Sequence, residues 1–440
     1  MRLKSLKFEQ FRGFAQAIEI QLHDKFTLIA GENGVGKSSI LWAIRVLLSH
    51  ILYAGNKRTA EKLNFRIDDV AVGWPYLRAE AVVHSIPERV AISCVAQKNV
   101  SEFVKTPSDD GRPREHAVDT PDSYQLSYTA VGPPHNTPSE DVPSLAVYYS
   151  AHRSLARDLG ISKARAAGGT SAAYAEALED RELRLGEQAS LWRKEAALEE
   201  SDDLPAFANR AIEQVLPIFL GDFSKLRTED RDEKPKLVID KLGKRLELEQ
   251  LSDGERGLLT ILMDLTRRLS QLNPTLENPA RDGRAVVLID ELDLHLHPKW
   301  QRTAVHNLLT AFPNVQFIAT THSPQILGEV SADQIILLQR EGPPIHPAQT
   351  FGMDCNWILR HIMDADNRNP GVEEKLEAIL KAIREAKLKT AHKLIAGLRA
   401  TIGETPDLAA ADAKIARAEL LLPQPKKKAK KPAPKKRRGS

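Results

Sequence analysis

The chain has 440 residues, 42% hydrophobic and 28% charged, a balance that suits a globular protein with a large core; no stretch is apolar for long enough to span a membrane. Two cysteines, Cys94 and Cys355, stand too far apart in sequence for a disulfide framework or a metal ribbon, and the charged start MRLKSLKFEQFRGF has no apolar core of signal-peptide length, so a cytoplasmic protein is expected. The net charge of +3 is uneven: residues 423–440 carry nine Lys/Arg and no acid, leaving 53 basic against 59 acidic residues elsewhere.

In chain order, apolar alternation at Leu3, Leu6, Phe8 and Phe11, then at Ile18, Ile20 and Leu22, predicts two strands leading into the apolar run 26–30. A glycine-rich turn follows, and 39–48 has helical apolar spacing. Segments 78–97 and 123–130 contain strand-like stretches around a polar, Pro-containing loop at 104–122, and 145–149 (LAVYY) reads as a buried strand. From Ser154 to about Leu220 the chain turns helical, with a Gly-Gly-Thr-Ser break at 168–171. A strand pair is expected over 236–250, a helix over 257–270, strands at 285–290 and 315–320, and helices at 373–386, 388–400 and 406–422. The Pro-interrupted basic tail is expected to be disordered, serving solubility or neutralising nucleic-acid phosphates.

Gly31-Glu32-Asn33-Gly34-Val35-Gly36-Lys37-Ser38 fits G-x-x-x-x-G-K-[ST] between a predicted strand and a predicted helix. Its glycines let backbone N–H groups wrap phosphates, Lys37 adds a point charge, Ser38 can ligate Mg²⁺, and Ser39 joins the same loop. Far downstream, the apolar strand 286–289 ends in Asp290 and Glu291. Asp290 is placed to hold the Mg²⁺ shell and Glu291 to polarise an attacking water. Leu251-Ser252-Asp253-Gly254-Glu255 opens a helix, with Ser252 as N-cap and Glu255 completing a capping box. Thr320-Thr321-His322-Ser323-Pro324 follows the strand at 315–320.

Together these four elements, in this order, resemble the ABC-type ATPase head. The resemblance implies an α/β P-loop NTPase fold with a helical insertion and a helical C-terminal extension. Its divisions would be an N-terminal lobe at 1–153, an insertion at 154–235, a second lobe at 236–350, a helical partner-binding region at 351–422 and the tail at 423–440. It also implies that Ser252, Gly254 and Glu255 act in trans as the signature, completing the ATP site of a second copy. Asp293 matches the D-loop, His322 the switch histidine that contacts the γ-phosphate, and Arg12 an arginine approaching the nucleotide. ATP and Mg²⁺ are the implied cofactors. Gln97 and Gln125 are both open as the Q-loop glutamine.

Phe8-Glu9-Gln10-Phe11-Arg12-Gly13-Phe14 and Leu292-Asp293-Leu294-His295-Leu296-His297-Pro298 look like the recombination, repair and defence branch of that class. The stretch 352–363 is similar to ATPase subunits of Septu-type anti-phage systems and the retrons that share them, which associate with a separate HNH nuclease. The resemblance implies an ATP-hydrolysing homodimer or larger homo-oligomer regulating such a partner. Two other readings stand beside it: a repair ATPase acting directly on DNA, and an ATP-stabilised scaffold. Zinc at His295, His297 and His322 lacks a further ligand at suitable spacing. A built-in nuclease on Asp364 and Asp366 lacks alternating strands and helices around it, so none is expected.

Overall fold

The apolar runs become strands of a parallel sheet. In the computed structural model, which describes all residues except 56–62, 86–87, 107–113, 132–143, 152–169, 181–206, 232–233, 341, 366–367 and 422–440, the chain divides into two units, Met1–Met363 and Asp364–Ser440. The strands are β1 Arg2–Glu9, β2 Ile18–Gln21, β3 Phe26–Gly31, β4 Tyr76–Ser85, β5 Glu88–Thr106, β6 Arg114–Val131, β7 Ser144–Tyr149, β8 Phe223–Arg231, β9 Lys234–Lys241, β10 Lys244–Glu247, β11 Arg284–Ile289, β12 Val315–Thr321 and β13 Ile335–Leu338. The helices used below are α1 Lys37–Gly55, α2 Thr170–Tyr174, α3 Phe207–Phe219, α4 Asp253–Leu272, α5 Pro298–Ala311, α6 Pro324–Leu327, α7 Cys355–His361, α8 Pro370–Arg384, α9 Leu388–Ile402 and α10 Pro406–Leu421.

Strands β13-β3-β12-β11-β7 form a five-stranded parallel sheet. Both faces are covered, which is why these strands read as unbroken apolar runs rather than alternating ones. Ala285, Val287 and Ile289 enter the core shared with α3, α4 and α5, while Val286 and Leu288 enter the core shared with α1. Helix α1 packs between this sheet and the antiparallel sheet β2-β1-β4-β5-β6, so its residues from Ile40 to Leu48 are almost all buried. Gln316 joins the two sheets. Fully buried in β12, its Oε1 accepts from Leu3 N at 2.8 Å and its Nε2 donates to the carbonyls of Leu3 (2.7 Å) and His23 (3.0 Å).

Three boundaries differ from expectation. The described part of the supposed loop at 104–122 is strand: β5 and β6 pair out to Thr106 opposite Arg114. Pro121 falls in the irregular stretch between Asp119 and Tyr124, whose partners are Val100 and Lys98, so its missing N–H removes no ladder bond there. The expected insertion ends earlier than 235, because β8 already pairs with β9 in the three-stranded sheet β10-β9-β8. Of that insertion, α2 and α3 are described helices, and much of the rest lies outside the described residues.

The helical region expected from 351 divides at Met363. Helix α7 belongs to the first unit, burying Ile358 in its main core, and the second unit begins at Asp364. There α8, α9 and α10 form a small core of their own around Ile379, Ala391, Ile395, Leu408 and Ile415. The basic tail lies outside the described residues.

Candidate functional site

The phosphate loop joins the C-terminal end of β3 to α1, and three of its glycines take left-handed backbone: Gly31 (φ 147°), Gly34 (φ 82°) and Gly36 (φ 102°). At Gly36 a side chain is doubly excluded, since a Cβ would also lie 2.5 Å from the Phe14 ring. Lys37 folds back over the loop, its Nζ donating to the carbonyls of Gly31 (2.9 Å) and Glu32 (2.7 Å). Burial lowers the Lys37 pKa against the opposing pull of Asp290, Glu291 and Asp293, so the ammonium is short of negative charge that a phosphate would supply. Arg340 Nε bonds Glu32 Oε2 at 2.6 Å and ties the loop to the segment after β13.

The neighbouring parallel strands bring the carboxylates to the same end. Ser38 Oγ donates to Asp290 Oδ1 at 3.3 Å across 252 residues of sequence. A hydroxyl and a carboxylate side by side, next to the phosphate loop, suit Mg²⁺, which takes one or two protein oxygens and fills its octahedron with water and phosphate. Thr320 organises the pair: its hydroxyl donates to Asp290 Oδ1 at 2.6 Å and accepts from Glu291 N at 2.7 Å. Glu291 is held at φ 50°, a left-handed conformation costing about 1–2 kcal/mol for a residue with a Cβ.

Asp293 and His322 meet as well. Asp293 Oδ1 accepts from Thr321 Oγ1 (2.6 Å) and His322 N (3.2 Å). Gln301, which sequence reasoning missed, links the same two loops by donating to Leu296 O at 2.9 Å and accepting from Ser323 Oγ at 2.8 Å. Burial, with the nearby Lys37 ammonium, holds the His322 imidazole below the ordinary histidine pKa. His295 and His297 have other work: His297 Nδ1 caps α5 by accepting from Lys299 N, and the His295 carbonyl abuts Gly254.

Arg12 occupies a tight turn at φ 47°, between Phe11 and Phe14, which exchange backbone hydrogen bonds. Its Nε bonds the buried Asp69 Oδ1 at 2.8 Å and its Nη1 reaches Ser39 Oγ at 3.3 Å. Asp69 is a second residue the sequence did not announce; its Oδ2 accepts from Trp42 Nε1 and Arg66 N, so it orients Arg12 over α1. Ser252 caps α4 as expected, in a reciprocal capping box with Glu255. Burial alone would push the Glu255 carboxyl up, but hydrogen bonds from Lys241 (2.5 Å) and Ser252 outweigh it and hold the pKa below the usual range.

Two cavities flank the phosphate loop. One, of about 560 Å³, is lined by Phe14, Asn33, Gly34, Gly36 and Ser39 together with Leu338, Gln339, Arg340, Gly342, Pro343 and Pro344. The other, of about 690 Å³, is lined by Arg12, Ser38, Trp42, Arg45, Asp290 and Glu291 among others. Ser252, Gly254 and Glu255 line neither. Gln97 and Gln125 lie opposite each other in register on β5 and β6 of the antiparallel sheet.

Residues 146–328 match the family described as "AAA domain, putative AbiEii toxin, Type IV TA system", and residues 5–109 match a family described as "AAA domain". The chain is 26% identical over 382 residues to "Retron Vc95 probable ATPase" of Vibrio cholerae serotype O1 biovar El Tor, covering 77% of this chain and 73% of that one. Over 439 residues it is 26% identical to "Retron Ec83 probable ATPase" of Escherichia coli, covering 87% and 79%.

Both family matches are to AAA domains, and the chain is homologous to the retron ATPases. It is also 40% identical over 97 residues to "Septu protein PtuA" of Bacillus mycoides (strain KBAB4), a match covering 21% of this chain and 13% of that one. Among solved structures, it is similar to "SMC head domain from Thermotoga maritima", with a TM-score of 0.42 and 17% identity over 79% of this chain and 99% of that one. No helix among the described residues is long and apolar enough to cross a membrane.

Proposed function

We propose that this chain binds Mg²⁺-ATP on Gly31, Asn33, Gly34, Gly36, Lys37, Ser38, Ser39 and Arg12, and closes as a homodimer around it. The signature of each copy (Ser252, Gly254 and Glu255) completes the site of the other. Asp290 with Ser38 holds the metal, Glu291 acts as the base that polarises water, Asp293 crosses the interface, and His322 contacts the γ-phosphate. The observation that carries this reading is the convergence of Ser38, Asp290, Glu291 and Thr320 at one sheet end beside Lys37. The signature lines neither cavity beside the loop, which supports its use in trans.

Relatedness to retron and Septu proteins supports a role in anti-phage defence. In that role the closed and open states regulate a separate HNH-type nuclease subunit, and the second unit with α7 offers the partner-binding helices. Sedimentation of Glu291→Gln with Mg²⁺-ATP tests the cycle: a dimer that persists with ATP and is abolished by adding Ser252→Arg is expected. A protein that stays monomeric under both conditions refutes it. Co-expression with an HNH-type nuclease subunit of such a system should yield a stable complex. ATP turnover stimulated by DNA in the absence of any partner would favour a repair enzyme instead.

A further inference from the structure

The larger cavity extends beyond the Ser38–Asp290 pair to Arg45, Tyr148, Glu179 and Asp180. Arg45 is only 6% exposed. Its Nε donates to Leu178 O at 2.7 Å, and its guanidinium lies 3.9 Å from the Tyr148 ring centroid and 5.1 Å from that of Trp42. Among the described residues that Nε bond is its one hydrogen bond, so both Nη groups are left without a partner in a residue lining the cavity. The Nη groups face the cavity, where Asp180, Asp290 and Glu179 supply negative charge but no direct hydrogen bond, and the two rings stack on the guanidinium.

The geometry of α1 says how far a phosphate held at Ser38 would lie from this group. Arg45 follows Ser38 by seven residues, two helical turns or about 10 Å along the same face, and helical side chains lean toward the N-terminus. An extended arginine spans roughly half that distance, and one ordered water completes the path to a phosphate held at Ser38.

Arg45 also grips a segment that other buried groups hold. Tyr148 N donates to Ala177 O at 2.7 Å. From the opposite side, Arg268 of α4 donates to Ala173 O (2.5 Å) and Ala175 O (3.1 Å) while its Nε pairs with Asp264 at 2.7 Å. Asp264 in turn accepts from Tyr149 Oη at 3.2 Å, and the Tyr149 carbonyl accepts from Asp290 N. The stretch 173–180 is therefore bonded to the helix that begins at the phosphate loop and to the helix that begins at Ser252.

We propose that Arg45 reads the terminal phosphate of a bound nucleoside triphosphate, and that its grip on Leu178 passes that occupancy to the stretch 173–180. This rests on the ATP site proposed above. In the triphosphate state the guanidinium is drawn toward the phosphate and relaxes its hold on Leu178; in the diphosphate state it holds the carbonyl as described.

The test compares ADP and ATPγS affinities, with Mg²⁺, for the full chain and for Arg45→Met and Arg45→Lys, alongside hydrogen exchange over 170–180. Arg45→Met should bind ADP as the wild type does but lose about tenfold in its preference for ATPγS, the size expected of one charge-assisted contact. Arg45→Lys should recover part of it. Wild-type amides over 170–180 should exchange faster with ATPγS than with ADP, a difference absent in Arg45→Met. A folded Arg45→Met with wild-type preference overturns the proposal, leaving Arg45 as a counter-charge for Glu179 and Asp180. Should Arg45→Met fail to fold, identical wild-type exchange in the two nucleotides overturns it equally. A wild type that binds neither nucleotide overturns the ATP site itself, and the inference with it.

Discussion

Gly254→Ala is the sharpest test of how the signature helix and the D-loop are fitted together. A Cβ at residue 254 would lie 2.3 Å from the His295 carbonyl oxygen and 3.1 Å from the His295 carbonyl carbon. Both are backbone atoms, so no rotamer change relieves the contact. A carbon–oxygen contact settles near about 3.3 Å, so α4 or the turn before Pro298 must shift by about 1 Å. Overpacking of this kind costs about 1–3 kcal/mol, whereas alanine in place of a helical glycine returns about 0.4–1 kcal/mol. The expected net loss is about 1–2 kcal/mol. The shifted turn carries Asp293, which holds Thr321 and His322, so the displacement reaches the sheet end where the proposed site lies. Urea unfolding should show a lowered midpoint with an unchanged slope, and steady-state turnover should fall while ADP affinity holds. An unaltered midpoint together with wild-type turnover would refute the close approach described here.

Thr320→Val keeps the side chain's shape but removes the hydroxyl bonded to Asp290 and Glu291 N; a loss of about 1–2 kcal/mol in unfolding experiments is expected, with turnover reduced more than ATP affinity. Gln316→Leu strands the buried backbone groups of Leu3 between the two sheets and should lower stability by about 2–3 kcal/mol, read from the urea midpoint. Acid sensitivity should trace to His322: its folded pKa is depressed, so the unfolded chain takes the proton first. The stability present at neutral pH should therefore decline as pH falls through the ordinary histidine range, about 6.5, toward the lowered folded value. Urea midpoints across that range should slope less in His322→Gln than in the wild type.

The parts of the site legible in the sequence are those whose chemistry is local. The phosphate loop needs its glycines in a row, the capping box is complete within four residues, and β11 and β12 are apolar because both faces are covered. Groups that act through distant partners left no such trace. Asp69 matters because a turn at Arg12 lies against it, and Gln316 because β1 passes over it. Thr320 stood inside a quoted motif, yet its bond to Asp290 appears only once β11 and β12 are aligned in register. The ends of β5 and β6 were hidden for a different reason: their polar, proline-bearing composition reads as loop, and only mutual pairing makes them strand.

The order of strands around β3 carries a consequence for synthesis of the chain. Strand β3 is flanked by β12 and β13, both parallel to it and each about 300 residues further along. No hairpin can assemble that neighbourhood early. At translation rates of about 5–20 residues per second, the first segment waits roughly 15–60 s for its flanking strands to leave the ribosome. Until then the nucleotide loop has no sheet to stand on, and its apolar strand is exposed to chaperones or to other nascent chains. A truncated product ending before β13 would leave one edge of β3 unpaired, so the strand that carries the glycine-rich loop gains both neighbours only once the chain has been made through Leu338.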